Sequence, residues 1–232
     1  MAQQFLGIGV RRSWCEIATG FAALALLITA VGLVVAPGWF TDPAYLMLPL
    51  GHLLGGWVMV RYGRTSGQPD ARAFLVIGSG ALLAGSGVIV VVLASLVTEV
   101  PAFGLLDAPF LIAYVLFLVG LAFLPAVTRG WRSQVRIIVD SLVGAVALVG
   151  LLWGWVLEPT VAGLADLPVD QRVVGTIYPV LDVALIVGMM VVVLRRGTFR
   201  FDRRLLALTL GFGFQVVADL EYLSKAVSGT FN

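Results

Sequence analysis

The sequence predicts an all-α fold: a polytopic transmembrane bundle of about seven helices, forming one membrane domain over 1–232 with its N-terminus in the cytoplasm. Three observations predict it. Apolar residues fill 60% of the 232 positions and charged residues only 12%, with a mean hydropathy of +1.03. An ordinary soluble domain carries about twice that charged fraction and could not hide so much apolar surface from water. Apolar runs of membrane-spanning length recur along the whole chain, and the basic residues cluster in every second gap between them.

The apolar segments run over 16–36, 43–61, 73–98, 102–126, 135–157, 173–194 and 205–224. Each is close to the roughly 20 residues that cross the hydrocarbon core at about 1.5 Å per residue. The first follows Arg11 and Arg12, but it is longer than a signal-peptide core and no A-x-A cleavage site follows, so it is read as a retained helix. The second carries Pro49 and His52. The third ends in the β-branched run Val88–Val92, which suits a strand in water, yet its length and lack of turn residues favour a lipid-facing helix. Pro101 and Pro109 bracket the start of the fourth. The fifth opens after Arg129 and Arg132, the sixth contains Pro179, and the seventh follows the run Arg195 to Arg204.

Orientation follows from the basic residues. Thirteen of the fifteen lie in the N-terminal stretch and in the second-to-third, fourth-to-fifth and sixth-to-seventh connections; Arg172 and Lys225 are the exceptions. The alternate connections hold Asp42, Glu99, Asp107, Glu158, Asp166 and Asp170. The basic side is therefore the cytoplasm. Seven crossings from a cytoplasmic start put Asn232 outside, so the chain reads as the membrane part of a longer protein or as a stand-alone bundle.

Several classes drop out. The net charge of +2 and pI near 9.0 come from membrane topology rather than from a phosphate-binding stripe, so no nucleic-acid partner is expected. With Cys15 and His52 as single examples of their types, no disulfide, metal site or cofactor is expected. No catalytic motif is present and the connections are too short for a catalytic domain, so the chain is not read as an enzyme. The bilayer is the expected partner. The Gly51/Gly55 and Gly150/Gly154 spacings and the glycines of the third segment suit bundle packing and leave a homodimer open.

Ionisable groups inside a membrane cost at least about 2.5–3.5 kcal/mol each near the centre, so they are the functional candidates. Asp182 and Asp219 fall in the outer half of the sixth and seventh segments. Tyr178 and Tyr222 share a helix face with them, and Gln215 lies one turn from Asp219. These five are candidate ligand-binding residues of an outward-facing polar pocket, with Pro179 freeing backbone carbonyls beside it. The alternative is that the acids pair with tyrosines, Gln215 or backbone groups and lock the packing. Four other residues are read as structural or pH-responsive. Asp140 and Arg136 are spaced for an ion pair, Asp107 sits at a helix start where the dipole favours an anion, and His52 is a hydrogen-bonded packing residue or a pH switch.

The stretches "LLDAPFLIAYVLFLVGL", "RIIVDSLVGAVALVGLLWGWVLEP", "YPVLDVALI" and "ADLEYLSKAVSGTF", around Asp107, Asp140, Asp182 and Asp219, resemble the multi-pass membrane input region found upstream of GGDEF and EAL domains in bacterial cyclic-di-GMP signalling proteins. The likeness covers about two thirds of the chain, from residue 72 onward. It implies a sensory or regulatory membrane module with an unknown ligand. Neither a GGDEF nor an EAL motif is present, so cyclase or phosphodiesterase activity is not carried over. Two other readings stay open: a small-molecule or proton-coupled transporter using Asp182 and Asp219, and a structural membrane partner without a ligand.

Overall fold

The structure is a computed structural model describing residues 43–95, 97–98, 103–125, 130–154, 158–165, 167–196 and 203–228. The expected first segment, 16–36, lies outside these. Every element among the described residues is helical: α1 (Pro43–Thr65), α2 (Ala71–Ser95), a 3-10 turn (Leu105–Asp107), α3 (Ala108–Ala122), α4 (Trp131–Leu152), α5 (Glu158–Leu164), α6 (Val169–Arg196) and α7 (Arg203–Ser228). Four are long and apolar enough to cross a membrane, over Ala71–Ala94, Leu105–Ala122, Val169–Arg195 and Arg203–Leu223.

The six remaining expected segments each correspond to a helix, and the differences at their ends have local causes. α1 continues past residue 61 to Thr65 because Tyr62, Gly63 and Arg64 can extend a helix beyond its apolar stretch. It stops at Gly67, whose φ of +60° a glycine adopts without steric cost. Asp70 then precedes α2, and its carbonyl accepts from the Phe74 N–H at 3.1 Å. α3 ends at Ala122, short of the expected 126, just before Pro125, which cannot continue a helix. α4 starts at Trp131 rather than 135 and ends at Leu152. α5 was not expected: Glu158-Pro159 opens a short helix inside the stretch read as a connection, an acid and a proline being favoured in a first turn. α6 runs through Pro179 as one helix.

α1 packs on α2 and α2 on α3; α6 then packs against α3, α4 and α7, and α5 lies against α6 and α7. The buried stripe of α2, Ala73, Phe74, Ile77, Ala81 and Ala84, has helical spacing and meets Ala113, Tyr114, Phe117 and Leu121 of α3. Close approach of α1 and α2 depends on glycines, among them Gly56, Gly63 and Gly78. A Cβ on Gly56 would lie 2.8 Å from the Gly78 carbonyl oxygen, and one on Gly78 would lie 2.7 Å from that of Gly56. The expected spacings contribute less: a Cβ on Gly55, Gly150 or Gly154 would meet nothing within 4 Å. Apolar side chains also cover the outside. Ile89 and Val90 of α2 are exposed, as are Val139, Leu142, Val143 and Val146 of α4.

Candidate functional site

The inward face of α6 repeats at helical spacing through Tyr178, Asp182, Leu185, Met189 and Val192, all buried. An aspartate therefore occupies a position that packing alone would give to an apolar residue. On α7 the corresponding face runs through Leu208, Phe212, Val216 and Leu223, with Gln215 and Asp219 beside it. The third contributor is Tyr114 of α3, only 1% exposed. A phenol buried among leucines and phenylalanines needs a polar partner for its hydroxyl.

Tyr114 meets both acids. Its hydroxyl is hydrogen-bonded to Asp182 Oδ1 and to Asp219 Oδ2, so one phenol from α3 joins carboxyl groups on two other helices. The chain of contacts continues. Gln215 Nε2 donates to Asp219 Oδ2 at 2.8 Å, and Gln215 Oε1 lies 3.0 Å from His52 Nε2 of α1. An amide oxygen only accepts, so His52 Nε2 carries the hydrogen in this contact. The result is a continuous polar path, His52–Gln215–Asp219–Tyr114–Asp182, through four helices. Asp182 is 2% exposed, and its Oδ2 has no hydrogen-bond partner.

A second phenol–acid pair lies beside the first. Tyr178 donates to Asp107 Oδ1 at 2.6 Å, and the Gly104 N–H donates to Asp107 Oδ2 at 2.7 Å. The Tyr178 ring stands edge-on to Tyr114 with centroids 6.2 Å apart. Phe103 packs edge-on against Tyr222 at 5.8 Å.

These positions correct the sequence reading at several points. Tyr178 shares a face with Asp182 as expected, but its hydroxyl goes to Asp107, because Asp107 comes from the turn before α3 and reaches that hydroxyl first. Asp107 directly precedes α3, yet makes no side-chain cap to that helix; its carboxyl serves Gly104 and Tyr178 instead. The Tyr222 ring, on the same helix as Asp219, packs on Phe103. Where an outward-facing pocket was expected, Tyr114 lies between Asp182 and Asp219 and bonds to both. Gln215 and His52 both join the path. Arg136 and Asp140 do not: they pair with each other at 3.8 Å on an exposed face of α4.

Sequence reasoning missed Tyr114, although "LIAYVLFLVGL" holds no other polar side chain and that isolation was the available signal. It also missed a cluster where α1 ends and α2 and α7 begin. Tyr62 donates to Asp70 Oδ1 at 2.8 Å, while Arg204 donates to the Tyr62 oxygen and, at 3.1 Å, to Asp70 Oδ2. The guanidinium carbon stands 4.9 Å from the Tyr62 ring centroid. Nothing in the local sequence separates Asp70 from an ordinary loop acid.

No protein-family model matches the chain, and no curated protein or solved structure does either. Among the described residues no group of three or more His, Cys, Asp or Glu is placed to hold a metal ion. What the site offers is a set of exchangeable protons held between helices: two carboxyl groups, a phenol, an amide and an imidazole.

Proposed function

We propose that this chain is a multi-pass sensory module of the bacterial inner membrane, in which the Tyr114 bridge converts an event at Asp182 and Asp219 into a change of helix packing. The observation that carries this is the single phenol of α3 joined to acids on α6 and α7. Any ligand or charge change at either acid alters the contacts of three helices together, which a bundle can answer by repacking. Insertion in the bilayer is supported by four helices of spanning length and by the exposed apolar faces of α2 and α4. The Tyr62–Asp70–Arg204 cluster supports the proposed topology, since it joins the basic ends of α1, α2 and α7 at one level. On that topology the N-terminus and the arginine-rich connections face the cytoplasm, and the acids lie in the outer half of the bilayer. The signalling class rests on the resemblance to the input regions of cyclic-di-GMP proteins, and no catalytic step is assigned to this chain.

The test uses the full chain in lipid nanodiscs, spin-labelled at the exposed positions Val115 of α3 and Val217 of α7. The distance distribution is expected to shift in Asp219→Asn and in Tyr114→Phe. An unchanged distribution in both variants, with only a lower yield of folded protein, would return the acids to locking the bundle. The unbroken path from His52 to Asp182 favours one further reading, proton-coupled transport. That reading requires Asp182→Asn to abolish solute uptake driven by a proton gradient in proteoliposomes.

A further inference from the structure

A hydroxyl has one hydrogen to give, and Tyr114 has two carboxyl oxygens within bonding reach. If both acids were ionised, one of these contacts would set an oxygen lone pair against an anionic oxygen with no hydrogen between them. Both contacts are hydrogen bonds when one carboxyl group is a neutral acid that donates to Tyr114 while Tyr114 donates to the other. The remaining donors say which is which. Asp219 Oδ2 also receives the Gln215 amide hydrogen at 2.8 Å, as a carboxylate oxygen would. Asp182, 2% exposed, has an Oδ2 that receives nothing. An anionic oxygen left so is far more costly to bury than the carbonyl oxygen of a neutral acid.

We propose that Asp182, Tyr114 and Asp219 form a binding site for one proton, held on Asp182 and transferable through the phenol to Asp219. This deepens the sensory reading, on which it rests, by naming the ligand as a proton. In the transfer, Asp182 Oδ1 gives its proton to the Tyr114 oxygen as Tyr114 gives its own to Asp219 Oδ2. One O–H bond breaks and one forms at the phenol, which ends unchanged, and the negative charge moves from α7 to α6. Gln215 then faces a neutral acid, and the unpartnered oxygen of Asp182 becomes anionic, so the two proton positions favour different helix contacts.

The surrounding groups are compatible with a proton in this role. His52 faces the path from α1, Asp107 from the 3-10 turn, Tyr178 from α6 and Tyr222 from α7, while the buried stripe of α2 is alanine, phenylalanine and isoleucine. Among the residues whose side chains the structure describes, no arginine hydrogen-bonds or ion-pairs with Asp182 or Asp219. A proton is then the simplest charge that can balance the pair.

Infrared spectroscopy of the full chain in nanodiscs at neutral pH tests this through the carbonyl stretch of a neutral carboxylic acid. The expected result is such a band in the wild type, its loss in Asp182→Asn and its retention in Asp219→Asn. The second variant keeps an acceptor for Tyr114 and so guards against misfolding of the first. Absence of the band from the folded wild type would overturn the proposal, as would its persistence in Asp182→Asn with loss in Asp219→Asn. If the α3–α7 distance still responds while the band is absent, the shared proton alone falls and the sensory reading stands.

Discussion

The chain contains two clusters of similar parts, and they differ in one charge. At the basic end, Tyr62, Asp70 and Arg204 form a closed triangle in which each member bonds to the other two. In the interior, Tyr114 stands between Asp182 and Asp219, and among the described residues no guanidinium bonds to either acid. Position accounts for the difference. The Arg204 side chain is 45% exposed and can keep part of its hydration while its stem lies along Tyr62. At the depth of Tyr114 an arginine would lose that hydration. The first cluster is balanced by a fixed charge and suits a clamp. The second can be balanced by something that comes and goes.

The comparison can be broken at its inner side first. Tyr114→Phe leaves two carboxyl groups without their shared partner. Because a buried unsatisfied polar group costs about 1–3 kcal/mol, a loss of about 3 kcal/mol is expected. Denaturant unfolding in detergent micelles would read it, and a loss below about 1 kcal/mol would mean that the acids have other donors. Next is Arg204→Met, expected to cost about 1–2 kcal/mol because Asp70 stays mostly buried while the arginine is half exposed. Adding Asp70→Asn should recover most of that cost. Strictly additive losses in the double variant would show that the triangle is not a coupled unit. The smallest effect belongs to a pair outside both clusters: Asp140→Asn should change stability by less than about 0.5 kcal/mol, since Arg136 and Asp140 are both largely exposed.

What the sequence made legible was local. Length and hydropathy located the described helices other than α5, with ends that differ by up to about six residues, since a span needs a fixed run of apolar side chains. The i,i+4 rule found Gln215 with Asp219 and Arg136 with Asp140, because both pairs lie within one turn of one helix. What stayed hidden depends on which helices meet. Tyr114 is 68 residues from Asp182 and 105 from Asp219, and no periodicity within α3 says which helix its phenol will face. The same limit hid Asp107 from Tyr178 and Asp70 from Arg204. A hydroxyl is visible in a sequence, whereas the acid it serves is set by packing.

That separation along the chain also fixes an order of events. Tyr114 is synthesised before either aspartate. In a chain that enters the bilayer as proposed, α3 is already in place when the ribosome delivers α6 and later α7. Asp182 then arrives to find its hydroxyl waiting, and α6 can be held before Asp219 exists. α4 has the opposite experience, since α6, the helix it packs against, is made after it. Arrested nascent chains stopped between α6 and α7 would therefore carry Asp182 with its phenol and without the second acid.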